Sequence, residues 1–167
     1  LKILYPKPEM RVMGDADILI RVEQASVISD VMTKLGYTLK EESDHEYIWT
    51  KPPFLYIELH KRLIPSYNRD YYAYYGDGWK LARKEGGGHR YRMTPEDGFI
   101  YLFTHFAKHY RDGGIGIRHL ADLWVYLRKN PQLDEKYIEK ELQTLRLFVF
   151  YQNIKNTMRS WFEGAAF

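Results

Sequence analysis

The hydrophobic period changes once along this chain, at a triple glycine. Before Gly86-Gly87-Gly88 the apolar residues fall mainly into short extended runs around one helix, and after Met93 they recur at helical spacing. This predicts an α+β fold. A sheet-bearing part is expected over residues 1–90 and a helical lobe over residues 91–167, with the glycines as the turn between them.

Within the first part, residues 16–22 (ADILIRV) read as a strand buried on much of both faces. A helix follows over 23–35, with Val27, Ile28, Val31, Met32 and Leu35 at helical spacing and Gly36 as its stop. Residues 37–42 and 46–51 form a hairpin pair around the polar Ser43, Asp44 and His45, and Pro52 and Pro53 interrupt the pairing. Residues 54–63 alternate Leu55, Ile57 and Leu59 against Tyr56, Glu58 and His60, as a half-buried strand does. The tyrosines from Tyr67 to Tyr75 suit a short helix leading into a loop.

In the second part, Thr94-Pro95-Glu96-Asp97 has the chemistry of a helix start: a capping hydroxyl, a proline that loses no hydrogen bond there, and acids at the positive helix end. That helix is expected to reach Arg111, with a second over 117–128 and a third running from Asp134 through Phe162. The run Leu145, Leu147, Phe148, Val149 and Phe150 reads as core, with a dimer surface as the other option.

The composition sets outer bounds. With 45% hydrophobic and 28% charged residues, the 167-residue chain can fill a core and solvate its surface. The absence of cysteine excludes disulfides, thiolate metal sites and a thiol nucleophile. No apolar run approaches the ~20 residues of a membrane-spanning helix, and residues 1–6 do not form a signal peptide, so a cytoplasmic location is expected. Residues 1–60 hold 7 Lys/Arg against 10 Asp/Glu, and residues 61–167 hold 18 against 12. An acidic half and a basic half suit a metal site beside an anion-attracting surface, or two ordinary solvated faces.

The chemistry is concentrated in Gly14-Asp15-Ala16-Asp17. On a strand, side chains two residues apart share a face at about 7 Å, so Asp15 and Asp17 can converge on a cation. Mutual repulsion of the two carboxylates is relieved by a divalent ion, and Mg²⁺ suits oxygen donors completed by water and substrate phosphates. The alternative is a plain turn with a solvated Asp17. Glu58 stands in an otherwise apolar strand, where a carboxylate is costly to bury without a partner. Beside Asp17 it would complete a three-carboxylate face for two-metal phosphoryl or nucleotidyl transfer; on the solvent side of its strand it would do nothing of the kind.

Arg11, three residues before Gly14, could neutralise phosphate charge or form a structural ion pair. His105 and His109 share a helix face at the spacing of two zinc ligands, though no third ligand is assured; they could instead face a cleft or pair with Asp122. Arg118 and Asp122, four apart, can bond to each other.

These residues carry a family resemblance. Arg11-x-x-Gly14-Asp15-x-Asp17-Ile18-Leu19-Ile20, a helix ending in Gly36-Tyr37, Ile57-Glu58-Leu59-His60, and His105-x-x-x-His109 with Asp122 resemble the uncharacterised nucleotidyltransferase family of the DNA polymerase β-like superfamily, over about residues 5–127. The resemblance implies a polymerase β-like palm followed by a helical lobe that helps shape an acceptor pocket. It implies two Mg²⁺ ions on Asp15, Asp17 and Glu58, and transfer of a nucleoside monophosphate from a nucleoside triphosphate to an acceptor hydroxyl on a small molecule, a protein or an RNA end. Arg11, His60, His105 and Asp122 become candidate substrate-binding residues. A glycine-rich nucleotide-binding turn is not found ahead of Arg11 and is expected upstream of Leu1.

Two other functions fit the same residues. One is a catalytically silent palm serving as a binding or regulatory module, such as the partner of a toxin-like protein. The other is metal-assisted phosphoester hydrolysis, with water as acceptor. No base-reading motif supports a nucleic-acid duplex as partner.

Overall fold

The computed structural model describes residues 1–164. Four strands, β1 (Ala16–Leu19), β2 (Thr38–Glu42), β3 (Glu46–Lys51) and β4 (Leu55–His60), form a mixed sheet in the order β1-β4-β3-β2. β1 runs parallel to β4, while β4 with β3 and β3 with β2 are antiparallel. Six α-helices occur among the described residues: α1 (Ala25–Lys34), α2 (Arg69–Tyr75), α3 (Pro95–Asp112), α4 (Ile117–Lys129), α5 (Glu135–Thr144) and α6 (Phe148–Glu163). None is long and apolar enough to cross a membrane.

The chain divides into two compact units, one of residues 12–80 and one of residues 1–11 with 81–167. This differs from the expected division at 90/91. The triple glycine is no linker: it tips a two-stranded hairpin of β5 (Arg83–Lys84) and β6 (Tyr91–Arg92), and the hairpin belongs to the helical unit. The first eleven residues join that unit because Tyr5 and Arg11 both bond to Asp122 of α4.

In the sheet unit, alternation assigns the two faces. Tyr47 and Trp49 of β3, Ile57 and Leu59 of β4, and Ile20 beyond β1 pack with Ala25, Ile28 and Met32 of α1. The opposite face carries Asp17, Glu46, Glu58 and His60, which the register places side by side. α1 closes as the sequence predicts: Gly36 takes a left-handed conformation (φ +82°), its N–H donates to the Thr33 carbonyl, and the Tyr37 N–H donates to that of Met32.

Two expectations are corrected here. β1 ends at Leu19, not at residue 22, and it is an edge strand with Ile18 exposed rather than one buried on both faces. Of the apolar residues on α1, Ile28 and Met32 face the sheet while Val27, Val31 and Leu35 form an exposed stripe.

The tyrosine segment divides similarly. Tyr71 and Tyr75 of α2 are buried, whereas Tyr67 is exposed. The loop after α2 depends on Gly78, whose φ is +88° and whose missing Cβ would lie 2.4 Å from Leu63 Cγ. Gly78→Ala combines an unfavourable backbone conformation with a clash against a buried leucine, and is expected to cost about 1–3 kcal/mol, read as a lower urea midpoint at unchanged m-value.

In the helical unit, the Thr94 hydroxyl accepts from the Asp97 N–H at 3.0 Å and Pro95 opens α3, as expected. The long helix expected from Asp134 through Phe162 is instead two. α5 stops at Thr144 and α6 starts at Phe148, with Arg146 left-handed between them (φ 58°). The flanking Leu145 and Leu147 are buried, so their packing offsets the backbone cost that a non-glycine residue incurs there.

Candidate functional site

Asp17 and Glu58 meet because β1 and β4 are parallel and in register. Asp17 lies directly opposite Glu58, and paired residues of neighbouring strands point to one face. Three potential ligand atoms, from Asp17, Glu58 and His60, lie within 4.8 Å of one another. His60 Nε2 is 3.4 Å from Glu58 Oε2 and 3.8 Å from Asp17 Oδ1.

This crowding of negative charge shows in protonation. Burial pushes the Glu58 carboxyl above its usual range, and the charges of Glu46, Asp17 and Asp15 push it further, with His60 opposing them. For His60, burial favours the neutral ring, yet the interaction with Asp17 and the charges of Asp17, Glu46 and Glu58 prevail and raise its pKa. His60 therefore holds its proton more tightly than a free imidazole, because it is set among carboxylates.

The donor set fits a divalent ion: two carboxylates face each other across adjacent strands, and a third, Asp15, lies close enough to act on Glu58. Asp15 stands one residue ahead of β1 and is exposed. Among the described residues, one group of three possible ligands contains Asp17 and Glu58, and none contains Asp15.

The remaining sequence candidates lie in the helical unit and have other engagements. Asp122 is buried, accepting from Tyr5 Oη at 2.6 Å and from Arg11 Nε at 2.8 Å. The structural ion pair, one of the two readings of Arg11, is the one the geometry shows, and the expected i, i+4 pairing of Asp122 with Arg118 gives way to it. Burial and the Asp122 bond both raise the Tyr5 pKa. Asp122→Asn weakens two short bonds to a buried acceptor and is expected to lower unfolding stability by about 2–3 kcal/mol in urea titration. A loss under about 0.5 kcal/mol would show that the pair is not structural.

His105 pairs with His109 rather than with Asp122: their Nε2 atoms are 3.1 Å apart, and His119 stacks on His109 with ring centroids at 6.3 Å. No group of three possible metal ligands among the described residues includes them.

With the geometry in place, a family model described as uncharacterised nucleotidyltransferase matches residues 1–163. The chain belongs to that family. No curated protein and no solved structure gives a significant match. The family match runs into α6, well past the region in which the sequence resemblance was legible, and the mixed sheet with its helices is consistent with a nucleotidyltransferase fold.

Two residues of this family member's acidic face escaped the sequence reading: Glu46, and His45 as anything more than a turn residue. A signal existed. A tight turn over residues 52–54 pairs 46–51 against 55–60, which sets Glu46 opposite His60.

Proposed function

We propose that the chain moves a nucleoside monophosphate from a nucleoside triphosphate to an acceptor hydroxyl, using Asp15, Asp17 and Glu58 as the holders of two Mg²⁺ ions on a polymerase β-like palm. The observation that carries this reading is the Asp17–Glu58 register on a shared sheet face, in a chain of a nucleotidyltransferase family.

The reaction balances simply. The acceptor oxygen bonds to the α-phosphorus, the bond from that phosphorus to the bridging oxygen of the β-phosphate breaks, and pyrophosphate leaves. When bound, the ions supply charge neutralisation at the phosphate oxygens and lower the acceptor hydroxyl's pKa.

The protein's own residues do the rest. In this reading Asp17, which lies opposite Glu58, would serve both ions, with Asp15 completing one side and Glu58 the other. In this reading Glu58 also takes the acceptor's proton. His60, held 3.4 Å from Glu58 and 3.8 Å from Asp17, would help to orient both acids.

The position of His60 also favours a second reading, a silent binding or regulatory module. An imidazole nitrogen 3.4 Å from Glu58 and 3.8 Å from Asp17 gives the two acids a neighbour within the protein itself.

One titration separates the two. Calorimetry of each nucleoside triphosphate with the full chain, with and without Mg²⁺, is expected to show binding that needs Mg²⁺ and disappears in Asp15→Asn/Asp17→Asn. Absence of triphosphate binding by the folded chain would favour the silent module. Phosphoester hydrolysis, with the same carboxylates, is distinguished by its products.

A further inference from the structure

We propose that His45, Glu46 and His60 form a Zn²⁺ site on the sheet unit, distinct from the carboxylates assigned to Mg²⁺. The site stands whether or not nucleotidyl transfer proves to be the activity.

The three donors are held by the backbone rather than by chance side-chain positions. Glu46 and His60 lie directly opposite each other across the antiparallel β3–β4 pair. His45 immediately precedes Glu46 in a turn that is itself tied down. The His45 and Glu46 N–H groups donate to Ser43 Oγ at 3.2 and 3.1 Å, the Ser43 N–H donates to the Glu46 carbonyl at 2.9 Å, and the Lys61 N–H donates to the His45 carbonyl at 2.8 Å. Lys61 Nζ adds a bond to the Ser43 carbonyl at 2.6 Å.

The spacing of the donor atoms suits a small tetrahedral ion. His45 Nε2 is 3.1 Å from His60 Nδ1 and 3.6 Å from Glu46 Oε2, and His60 Nδ1 is 3.4 Å from Glu46 Oε2. A tetrahedral ion with ligand bonds of about 2.0–2.1 Å has its ligands roughly 3.3–3.4 Å apart. The three observed edges straddle that value. Two imidazole nitrogens with one carboxylate oxygen are zinc's chemistry, whereas magnesium takes oxygens in an octahedron. Both histidines are buried, each 9% exposed, so water competes poorly for their nitrogens.

The arrangement also extends to the next layer. A metal-bound histidine characteristically turns its other ring nitrogen to a carboxylate, which fixes its tautomer and strengthens it as a ligand. With Nδ1 in the metal set, His60 turns Nε2 toward Glu58 and Asp17, at 3.4 and 3.8 Å. Zinc on Nδ1 leaves the proton on Nε2, directed at the acids. Occupancy of the zinc site would thereby orient the histidine that faces the acidic pair.

The test uses the full chain stripped with a chelator, in excess Mg²⁺ to fill the carboxylate site. Zn²⁺ titration by calorimetry is expected to show one tight equivalent, and Co²⁺ in its place to give the intense visible bands of a tetrahedral ion. His45→Gln and Glu46→Gln are each expected to weaken Zn²⁺ by at least about 100-fold, since losing a ligand exceeds the effect of losing an outer-layer partner. His105→Gln, which changes the other histidine pair, should leave it unchanged. Circular dichroism of the metal-free variants checks folding, and if His45→Gln fails that check the more exposed Glu46→Gln decides. Absence of a stoichiometric equivalent, weak octahedral Co²⁺ bands, or loss of binding in His105→Gln with retention in Glu46→Gln would overturn the proposal. The His45–His60 contact would then be an ordinary shared-proton hydrogen bond.

Discussion

Asp17→Asn is expected to lower nucleotidyl transfer by at least about 1,000-fold, or about 4 kcal/mol of transition-state stabilisation. Asparagine keeps the shape and removes the charge, so the fold should survive while the acidic face loses its central donor. Asp17 is the sensitive position because it lies between Asp15, two residues back and just ahead of β1, and Glu58, directly opposite on β4. Either ion of the proposed pair needs it. The assay is transfer of label from each α-labelled nucleoside triphosphate, with Mg²⁺, into the protein itself, into total RNA and into a panel of hydroxyl-bearing small molecules. Glu58→Gln should fall by a similar factor. A rate within about tenfold of the parent for Asp17→Asn would remove Asp17 from the machinery, and the acidic face would then be a structural charge cluster.

The acidic strand was legible because its signal is local. Gly14-Asp15-Ala16-Asp17 ahead of an apolar run states its own geometry, and Glu58 in an apolar strand advertises the need for a partner. Pairing of those two residues is a tertiary fact, set by the parallel register of β1 on β4. What stayed hidden depended on long-range partners. Arg11 looks the same in sequence whether it meets a phosphate or an aspartate; its bond to Asp122 spans most of the chain. The role of the triple glycine was hidden for a related reason, since three glycines suit a hairpin tip as well as a linker. The break at residues 145–147 carries no glycine or proline, and only the burial of both leucines reveals why an arginine turns left-handed there. α1 shows the opposite limit: five apolar residues at helical spacing read as one core face, but a sheet this small covers only part of it.

Phe103→Ala is expected to cost the helical unit about 3–5 kcal/mol, the range for emptying a fully buried aromatic site. Phe103 is 0% exposed, and its ring lies 5.3 Å from Tyr151, 5.7 Å from Phe150, 5.9 Å from Phe106 and 6.4 Å from Phe99 by centroid. Those four rings come from α3 and α6, so the cavity would open between two helices whose association the ring supports. Aromatic rings are rigid and cannot collapse into such a gap without tilting off their own contacts, which places the expected loss toward the upper end. For a chain of this length the loss corresponds to roughly 6–20 °C in Tm. Phe103→Leu keeps most of the volume and should cost about 1–1.5 kcal/mol. Val149→Ala, one residue before Phe150 but 72% exposed, should stay within about 0.5 kcal/mol. Equal losses at Phe103 and Val149 in urea titration would contradict this packing, because the apolar run in α6 would then be covered by something other than its own unit.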